Sequence, residues 1–254
     1  MLWHKSWLDT RWRFLVGFAL LICSAFVIVL TYTRSAELLP LAQGIELGGE
    51  LGRRVKEAIE LQRDYRGYIW YQWFRQTPLE LATLFAVLLG SGSLVSQGSG
   101  SPLFTLSLPI SRNRLLGGRA VTGLLELLVL TVVPSLAISL FSPAIGQHFG
   151  IGSALVHALC LFIVAAVFFS LALLLSTEFT DLWRPLLIAG AVAVLVGLGE
   201  TLSSRFASYG LFTVMSGERY FRTGAVPWMG LLASIGLSAA LLYGAALNFA
   251  RRDF

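Results

Sequence analysis

Apolar runs long enough to cross a lipid bilayer recur along this chain and limit its possible folds more than any other feature. A membrane-spanning helix needs about 20 apolar residues. Runs near that length occur at Phe14–Tyr32, Leu79–Val95, Leu115–Leu140, Gly152–Leu175 and Trp228–Leu247. Only 13% of the 254 residues are charged, whereas a soluble domain has about 25%. The sequence therefore predicts an all-α, polytopic membrane protein forming a single transmembrane domain over residues 1–254.

The apolar run after Pro185 differs from the others because it is short. It extends from Leu186 to Leu198, meets Gly199 and Glu200, and is followed by a second apolar piece at Leu211–Met215. Irregular backbone at membrane depth requires protein or water to satisfy its polar groups. A helix that breaks and re-enters is one interpretation, and a short fifth span followed by an outer loop is the other. Either way, the sequence predicts six transmembrane helices.

Basic residues at the two ends of the chain suggest its orientation. Residues 1–13 combine three tryptophans with Lys5, Arg11 and Arg13, a composition that suits an interfacial helix lying on the cytoplasmic leaflet. A charged flank with an aromatic belt is the alternative. The assigned cytoplasmic segments hold nine Lys and Arg and the outer segments hold ten, so the total does not decide the orientation. Basic residues directly beside the spans favour cytoplasmic N- and C-termini.

The polar segment 33–77 is expected to lie outside and to contain a helix. Leu47, Leu51, Val55 and Ala58 recur at helical spacing, and opposite charges four residues apart accompany them, as in an amphipathic helix. The aromatic sequence Tyr65–Phe74 follows. Aromatic residues are enriched at membrane–water boundaries, so we interpret this sequence as an interfacial anchor or as a lip facing lipid or substrate.

The segment Gly98–Arg119 is polar and basic and lies between two predicted spans. It contains the core Leu-Pro-Ile-Ser-Arg and three arginines, with no acidic residue. A short loop with that imbalance is expected on the cytoplasmic side. Pro109 lacks an amide hydrogen and restricts Leu108, so it should bend the chain between two short apolar pieces.

The run Leu106–Arg119 resembles the intracellular loop of type-2 permeases of ATP-binding-cassette (ABC) transporters. In that family the loop carries a coupling helix that docks on a separate ATPase subunit. The resemblance implies that residues 98–115 form the coupling loop. The implied contact residues are Phe104, Leu106, Leu108, Pro109, Arg112 and Arg114. The family also has an N-terminal elbow helix and re-entrant helices after the fifth span, so the resemblance implies both here, and family members often end in a similar Arg-Arg-Asp.

No catalytic, nucleotide-binding or metal-binding signature occurs in the sequence. It lacks the Gly-x-x-x-x-Gly-Lys-Ser/Thr loop that binds phosphates, and its histidines and cysteines lack the spacing of metal ligands. We therefore expect no enzyme activity and no cofactor in this chain. Glu126, inside the third predicted span, and Glu200 are the candidates for a transport path or gate, because carboxylates within membranes normally face protein or water.

The resemblance implies a permease subunit of an ABC exporter in a bacterial cytoplasmic (inner) membrane. Its expected partners are two ATPase subunits carrying ATP and magnesium, a second permease copy or a similar permease, and membrane lipid. The net charge of +5 is attributed to bases near anionic lipid, not to nucleic-acid binding. Two alternatives remain open. Glu126 and the interrupted fifth run would suit an ion-coupled secondary transporter, and a membrane scaffold or maturation factor would transport nothing.

Overall fold

The chain folds into a bundle of helices. The computed structural model describes residues 2–42, 49–92, 112–179, 181–202 and 210–251. These residues form ten α-helices and no strand: α1 (Leu2–Ala42), α2 (Gly49–Arg63), α3 (Tyr65–Ile69), α4 (Thr77–Gly90), α5 (Arg112–Phe141), α6 (Ile151–Glu178), α7 (Trp183–Leu202), α8 (Leu211–Ser216), α9 (Glu218–Thr223) and α10 (Trp228–Arg251). A π-helical turn, Trp70–Phe74, joins α3 to the region before α4.

Five of these helices are long and apolar enough to cross a membrane. The spanning stretches are Thr10–Ser35, Arg114–Ile145, Ile151–Glu178, Trp183–Leu202 and Trp228–Arg251. The predicted second span, Leu79–Val95, is wrong in extent. The corresponding helix α4 has 14 residues and ends at Gly90, so it is about 21 Å long, less than the roughly 30 Å of a bilayer core.

The N-terminal helix α1 is longer than its apolar run on both sides. It is continuous from Leu2 to Ala42, so the expected interfacial helix over residues 1–13 is not a separate element. Residues 2–13 contain neither glycine nor proline, the residues that most readily interrupt a helix. The predicted outer loop 33–77 is largely helical, because it includes the end of α1 and all of α2 and α3. The amphipathic helix expected there is present as α2.

Helix α6 forms the centre of the bundle. It packs against α4, α5, α7, α8 and α10, as expected for a helix that is apolar on every side. Two glycines, one on α4 and one on α5, allow these helices to approach α6 closely. A Cβ atom on Gly90 would lie 2.5 Å from the carbonyl oxygen of Phe169, and one on Gly123 would lie 2.5 Å from the Phe169 ring. Helices α1, α7 and α10 surround this centre and are mostly exposed.

The expectation that the fifth apolar run is too short to cross a membrane is wrong. The helix continues through Gly199 and Glu200 to Leu202, and its 20 residues span about 30 Å. A helical glycine costs only about 1 kcal/mol relative to alanine, which the surrounding apolar residues offset. Beyond it, α8 buries Val214 and Met215 and packs against α6, so this segment is not a loop in solvent.

Candidate functional site

Hydrogen bonds donated by side chains of α1 join α1, α4 and α5 at one end of the bundle. The Thr10 hydroxyl donates to Glu126 Oε1 at 2.5 Å. Arg13 Nη1 donates to the carbonyl oxygens of Leu88 at 2.9 Å and Ser91 at 2.8 Å. We refer to Thr10, Arg13, Ser91 and Glu126 as the polar end. Thr10 and Arg13 are three residues apart and therefore lie on one face of α1.

Glu126 is buried between α1 and α5, with 3% of its surface exposed. Its Oε2 atom has no hydrogen-bond partner in the described part of the chain. Its donor Thr10 is the first residue of the spanning stretch in α1. Glu126 thus lies within the spanning stretch Arg114–Ile145 of its own helix and beside the first residue of the spanning stretch in α1. A buried carboxylate with one unmatched oxygen can hold a proton or accept a further hydrogen bond.

Arg13 satisfies backbone groups at the end of α4. The last carbonyls of a helix lack partners within that helix, and a cation is favourable at this negative end of the helix dipole. Ser176 on α6 adds a hydrogen bond from its hydroxyl to the Gly90 carbonyl, at 3.2 Å. The Arg119 guanidinium lies so close to Gly92 that a side chain at that position would overlap it. Three helices, α1, α5 and α6, therefore contact the C-terminal end of α4.

Most of the predicted coupling residues lie outside the described residues. Phe104, Leu106, Leu108 and Pro109 belong to segment 93–111, which the structure does not describe. Arg112 is the first residue of α5, although its side chain is outside the described part. Arg114 is exposed in the first turn of α5. Before segment 93–111, Gly92 directly follows Ser91 of the polar end, and after the segment, Arg112 begins α5.

Glu200 connects α7 to α8. Its carboxylate accepts hydrogen bonds from the backbone amides of Phe212, at 3.1 Å to each oxygen, and of Thr213, at 3.3 Å. A carboxylate in this position satisfies free amides of the helix and complements the positive end of its dipole. Gly210 is packed against the carboxylate, where a Cβ atom would overlap it. The residue expected to act at a gate thus fixes the start of the short helix α8.

Stacked rings occupy the opposite end of the bundle. Trp70 and Phe221 stack with centroids 4.5 Å apart and planes at 8°, and Phe74 stacks on His157 at 4.5 Å. We refer to Trp70, Phe74, His157 and Phe221 as the aromatic end. Trp70 Nε1 also donates to the Ser216 carbonyl at 3.1 Å. Because Trp70 and Phe74 are fully buried, the interpretation of Tyr65–Phe74 as an interfacial anchor or an exposed lip is wrong for these residues.

His157 is buried among these rings. Its Nδ1 lies 2.8 Å from the Ser153 carbonyl oxygen, which can only accept, so Nδ1 carries the hydrogen and Nε2 presents its lone pair. Nε2 has no partner among the described residues. Gly217, at φ +65°, lies against the ring, and a Cβ atom there would be 2.8 Å from His157 Cδ2. This left-handed backbone and close approach both favour glycine.

Tyr65 joins α3 to the turn that follows α5. The Ser142 hydroxyl donates to the Ile138 carbonyl at 2.6 Å, so the Tyr65 hydroxyl is the donor in its 2.6 Å contact with Ser142 Oγ. Tyr65 therefore serves as a fixed hydrogen-bond donor between two elements.

Several of these residues were not singled out from the sequence. Thr10 and Arg13 belong to a basic stretch that was assigned to lipid contact, and their three-residue spacing was the available signal. His157 interrupts an otherwise apolar run, which marks it as unusual. The stacking of Trp70 on Phe221 could not be predicted from any local sequence pattern, because the two residues belong to distant parts of the chain.

The described residues contain no group of three or more His, Cys, Asp or Glu side chains that could hold a metal ion. Comparisons with protein-family models, with curated proteins and with solved structures find no match to this chain. The functional assignment therefore depends on the sequence resemblance and on the geometry of the two ends.

Proposed function

We propose that this chain is the membrane-spanning permease subunit of an ABC exporter, which moves its substrate with ATP hydrolysed by a separate ATPase subunit. The observation that carries this proposal is how the end of α4, directly before segment 93–111, is held by hydrogen bonds from other helices. Arg13 and Ser176 hold the end of α4 before the segment, and α5 begins directly after it. A partner pressing on the segment would thus move α1, α4, α5 and α6 together.

The proposed membrane arrangement has six segments. The second would consist of residues 65–90, in which α3, the π-helical turn and α4 follow one another. The first turns of α1 would lie at headgroup depth, since Trp7 and Trp12 are exposed there and tryptophan favours the interface. Helices α8 and α9 would form a re-entrant outer gate whose first helix is fixed by Glu200. Both termini would be cytoplasmic, in a bacterial inner membrane.

The proposed assembly contains two permeases and two ATPases. The second permease is either another copy of this chain or a similar one. ATP and magnesium would bind only to the ATPases, and their closure would shift the permease pair between inward-facing and outward-facing states. Phe104, Leu106 and Leu108 would place apolar side chains in a groove of the ATPase. Arg112 and Arg114 would add ion pairs of up to about 1 kcal/mol each if exposed.

A double substitution in the loop tests this proposal. Phe104→Ser with Leu108→Ser removes the apolar contact and leaves every charge in place, so membrane insertion should remain normal. We expect the parental chain to copurify from its native membranes with an ATPase containing a phosphate loop, and the double variant to lose it or to uncouple hydrolysis from transport. Arg112→Lys, which keeps the charge, is the matched control. A double variant that keeps its ATPase and its transport rate would exclude this loop as the coupling element.

A second candidate function is ion-coupled secondary transport, which the unmatched oxygen of buried Glu126 favours. Carboxylates within membranes often belong to proton or ion pathways. In this case Glu126→Gln would abolish transport while leaving the fold intact. Transport by the purified chain in vesicles under an ion gradient, with no ATPase present, would favour this candidate over the ABC exporter. Transport that requires the ATPase would reject it.

A further inference from the structure

Two arginines pack against the stacked rings of the aromatic end. The Arg75 guanidinium carbon lies 5.6 Å from the centroid of Trp70 and 5.5 Å from that of Tyr71. The Arg66 guanidinium carbon lies 5.7 Å from the centroid of Phe221. Because Trp70 and Phe221 stack on each other, one connected group of rings carries a cation at each end. We call Arg66, Trp70, Arg75 and Phe221 the arginine–aromatic stack.

Both arginines remain available to an external anion. Their side chains are exposed, and neither forms an ion pair or a side-chain hydrogen bond within the part of the chain that the structure describes. Arg222, at the same end, differs in this respect because it pairs with Glu218 at 2.8 Å. Asp64 lies two residues before Arg66 without pairing with it. The positive charges of the stack are therefore not neutralised by the described residues.

The rings lie beside both guanidinium groups without using their N–H groups in a hydrogen bond among the described residues. The N–H groups along the edge of a guanidinium match two oxygens of a phosphate. The supporting rings cannot easily turn away, because Trp70 is fully buried and bonded to the Ser216 carbonyl. Little side-chain freedom would then be lost when an anion binds, which favours affinity.

The position of the stack indicates a lipid as the source of the phosphate. The spanning helices near this end finish or begin with exposed apolar residues, including Leu140 on α5, Ile151 on α6 and Trp228 on α10. In a membrane these residues would contact acyl chains, and the headgroup layer would begin beside them. Arginines at that boundary extend towards lipid phosphates.

We propose that Arg66 and Arg75 bind the phosphate headgroups of anionic membrane lipids, one headgroup at each end of the arginine–aromatic stack. Bound lipid would neutralise both cations. This lipid site is independent of the proposed ATPase partner, so it can be present whether or not the chain belongs to an ABC exporter.

Lipid titration of the purified full-length chain tests this proposal. The chain is held in a neutral detergent, phosphatidylglycerol is added, and retained lipid is counted by native mass spectrometry. Phosphatidylcholine and inorganic phosphate serve as separate probes. We expect phosphatidylglycerol to bind most tightly, and Arg66→Gln with Arg75→Gln to weaken it about tenfold, the loss of two modest ion pairs. Arg66→Lys with Arg75→Lys should fall between, because lysine keeps the charge but not the paired donors.

Arg219→Gln is the matched control, because Arg219 is exposed on α9 and contacts no aromatic ring among the described residues. It should change phosphatidylglycerol binding less than twofold. An equal loss in this control would reduce the effect to general charge attraction and overturn the proposal. Binding that the Gln double variant leaves unchanged, equally tight binding of phosphatidylcholine, or full competition by inorganic phosphate would also overturn it. If the Gln double variant does not fold, the Lys double variant gives the same comparison with the charge retained.

Discussion

The two ends of the bundle are held together by different physical interactions. At the polar end, a few directional hydrogen bonds connect α1, α4 and α5, and Arg13 alone satisfies two backbone carbonyls. At the aromatic end, rings from distant segments stack and exclude water. A contact such as that of Trp70 with Phe221 depends mainly on buried area and shape.

This difference determines how each end should respond to substitution. A hydrogen bond to a charged group fails completely when its donor is removed, and it leaves buried acceptors unsatisfied. A packed aromatic cluster loses stability in proportion to the volume removed, and it tolerates replacements of similar size. The polar end should thus be sensitive to chemical identity, and the aromatic end to size.

The largest expected effect is at the aromatic end. Trp70→Ala removes a fully buried ring and its hydrogen bond to Ser216, and should lower the free energy of unfolding by about 3–5 kcal/mol. Trp12→Ala is the matched control, because Trp12 is 69% exposed, and it should change stability by less than about 0.5 kcal/mol. Denaturant unfolding of the full chain in detergent measures both. Equal losses would show that burial does not distinguish the two tryptophans.

The next effect tests the polar end. Arg13→Met keeps most of the side-chain length but leaves the Leu88 and Ser91 carbonyls without their donor, and should cost about 2–3 kcal/mol. Arg11→Met is the control, since Arg11 is exposed on the same helix and should have little effect. Unfolding midpoints of both variants provide the comparison. If Arg13→Met is as stable as Arg11→Met, the capping of α4 does not contribute to the fold.

Alanine substitutions at two glycines distinguish the cost of a left-handed backbone from the cost of close packing. Gly217 and Gly224 have φ of +65° and +71°, and only Gly217 has a neighbour, His157, within 4 Å of an added Cβ atom. Each substitution by alanine should cost about 1 kcal/mol for the left-handed backbone. Gly217→Ala should cost about 1 kcal/mol more, because the His157 ring must shift. Thermal unfolding of both variants checks this. Equal midpoints would show that packing against His157 adds nothing to the cost at Gly217.

The smallest effect on stability is expected for Glu126→Gln. The amide oxygen of glutamine can still accept the Thr10 hydrogen bond, so we expect a loss of about 1 kcal/mol or less. Thr10→Val removes the donor of the hydrogen bond to Glu126 Oε1 and should cost more. Thermal unfolding of both variants in detergent gives their order. The reverse order would mean that the charge of Glu126, not its hydrogen bond, stabilises this contact.

The sequence by itself determined the class of the protein and most of its helices. The length of an apolar run is a local property, so the stretches in α1, α5, α6 and α10 could be found directly. The amphipathic helix α2 was also predictable, because its pattern lies within one segment. The extent of α4 was not, because Gly90, where it ends, packs against Phe169 of α6. The continuation of α7 past Gly199 was not, because a single glycine lowers helix stability by only about 1 kcal/mol.

Only the tertiary structure decided what the polar and aromatic residues contact. Thr10 and Glu126 are 116 residues apart, and Trp70 and Ser216 are 146 residues apart. Their pairing depends on how each helix is rotated and how deeply it sits in the bundle, which composition does not specify. Tryptophan has both a large apolar surface and a polar N–H group, so it is equally compatible with the membrane interface and with a buried site that offers an acceptor. The Ser216 carbonyl supplies that acceptor for Trp70, and only the folded chain brings it there.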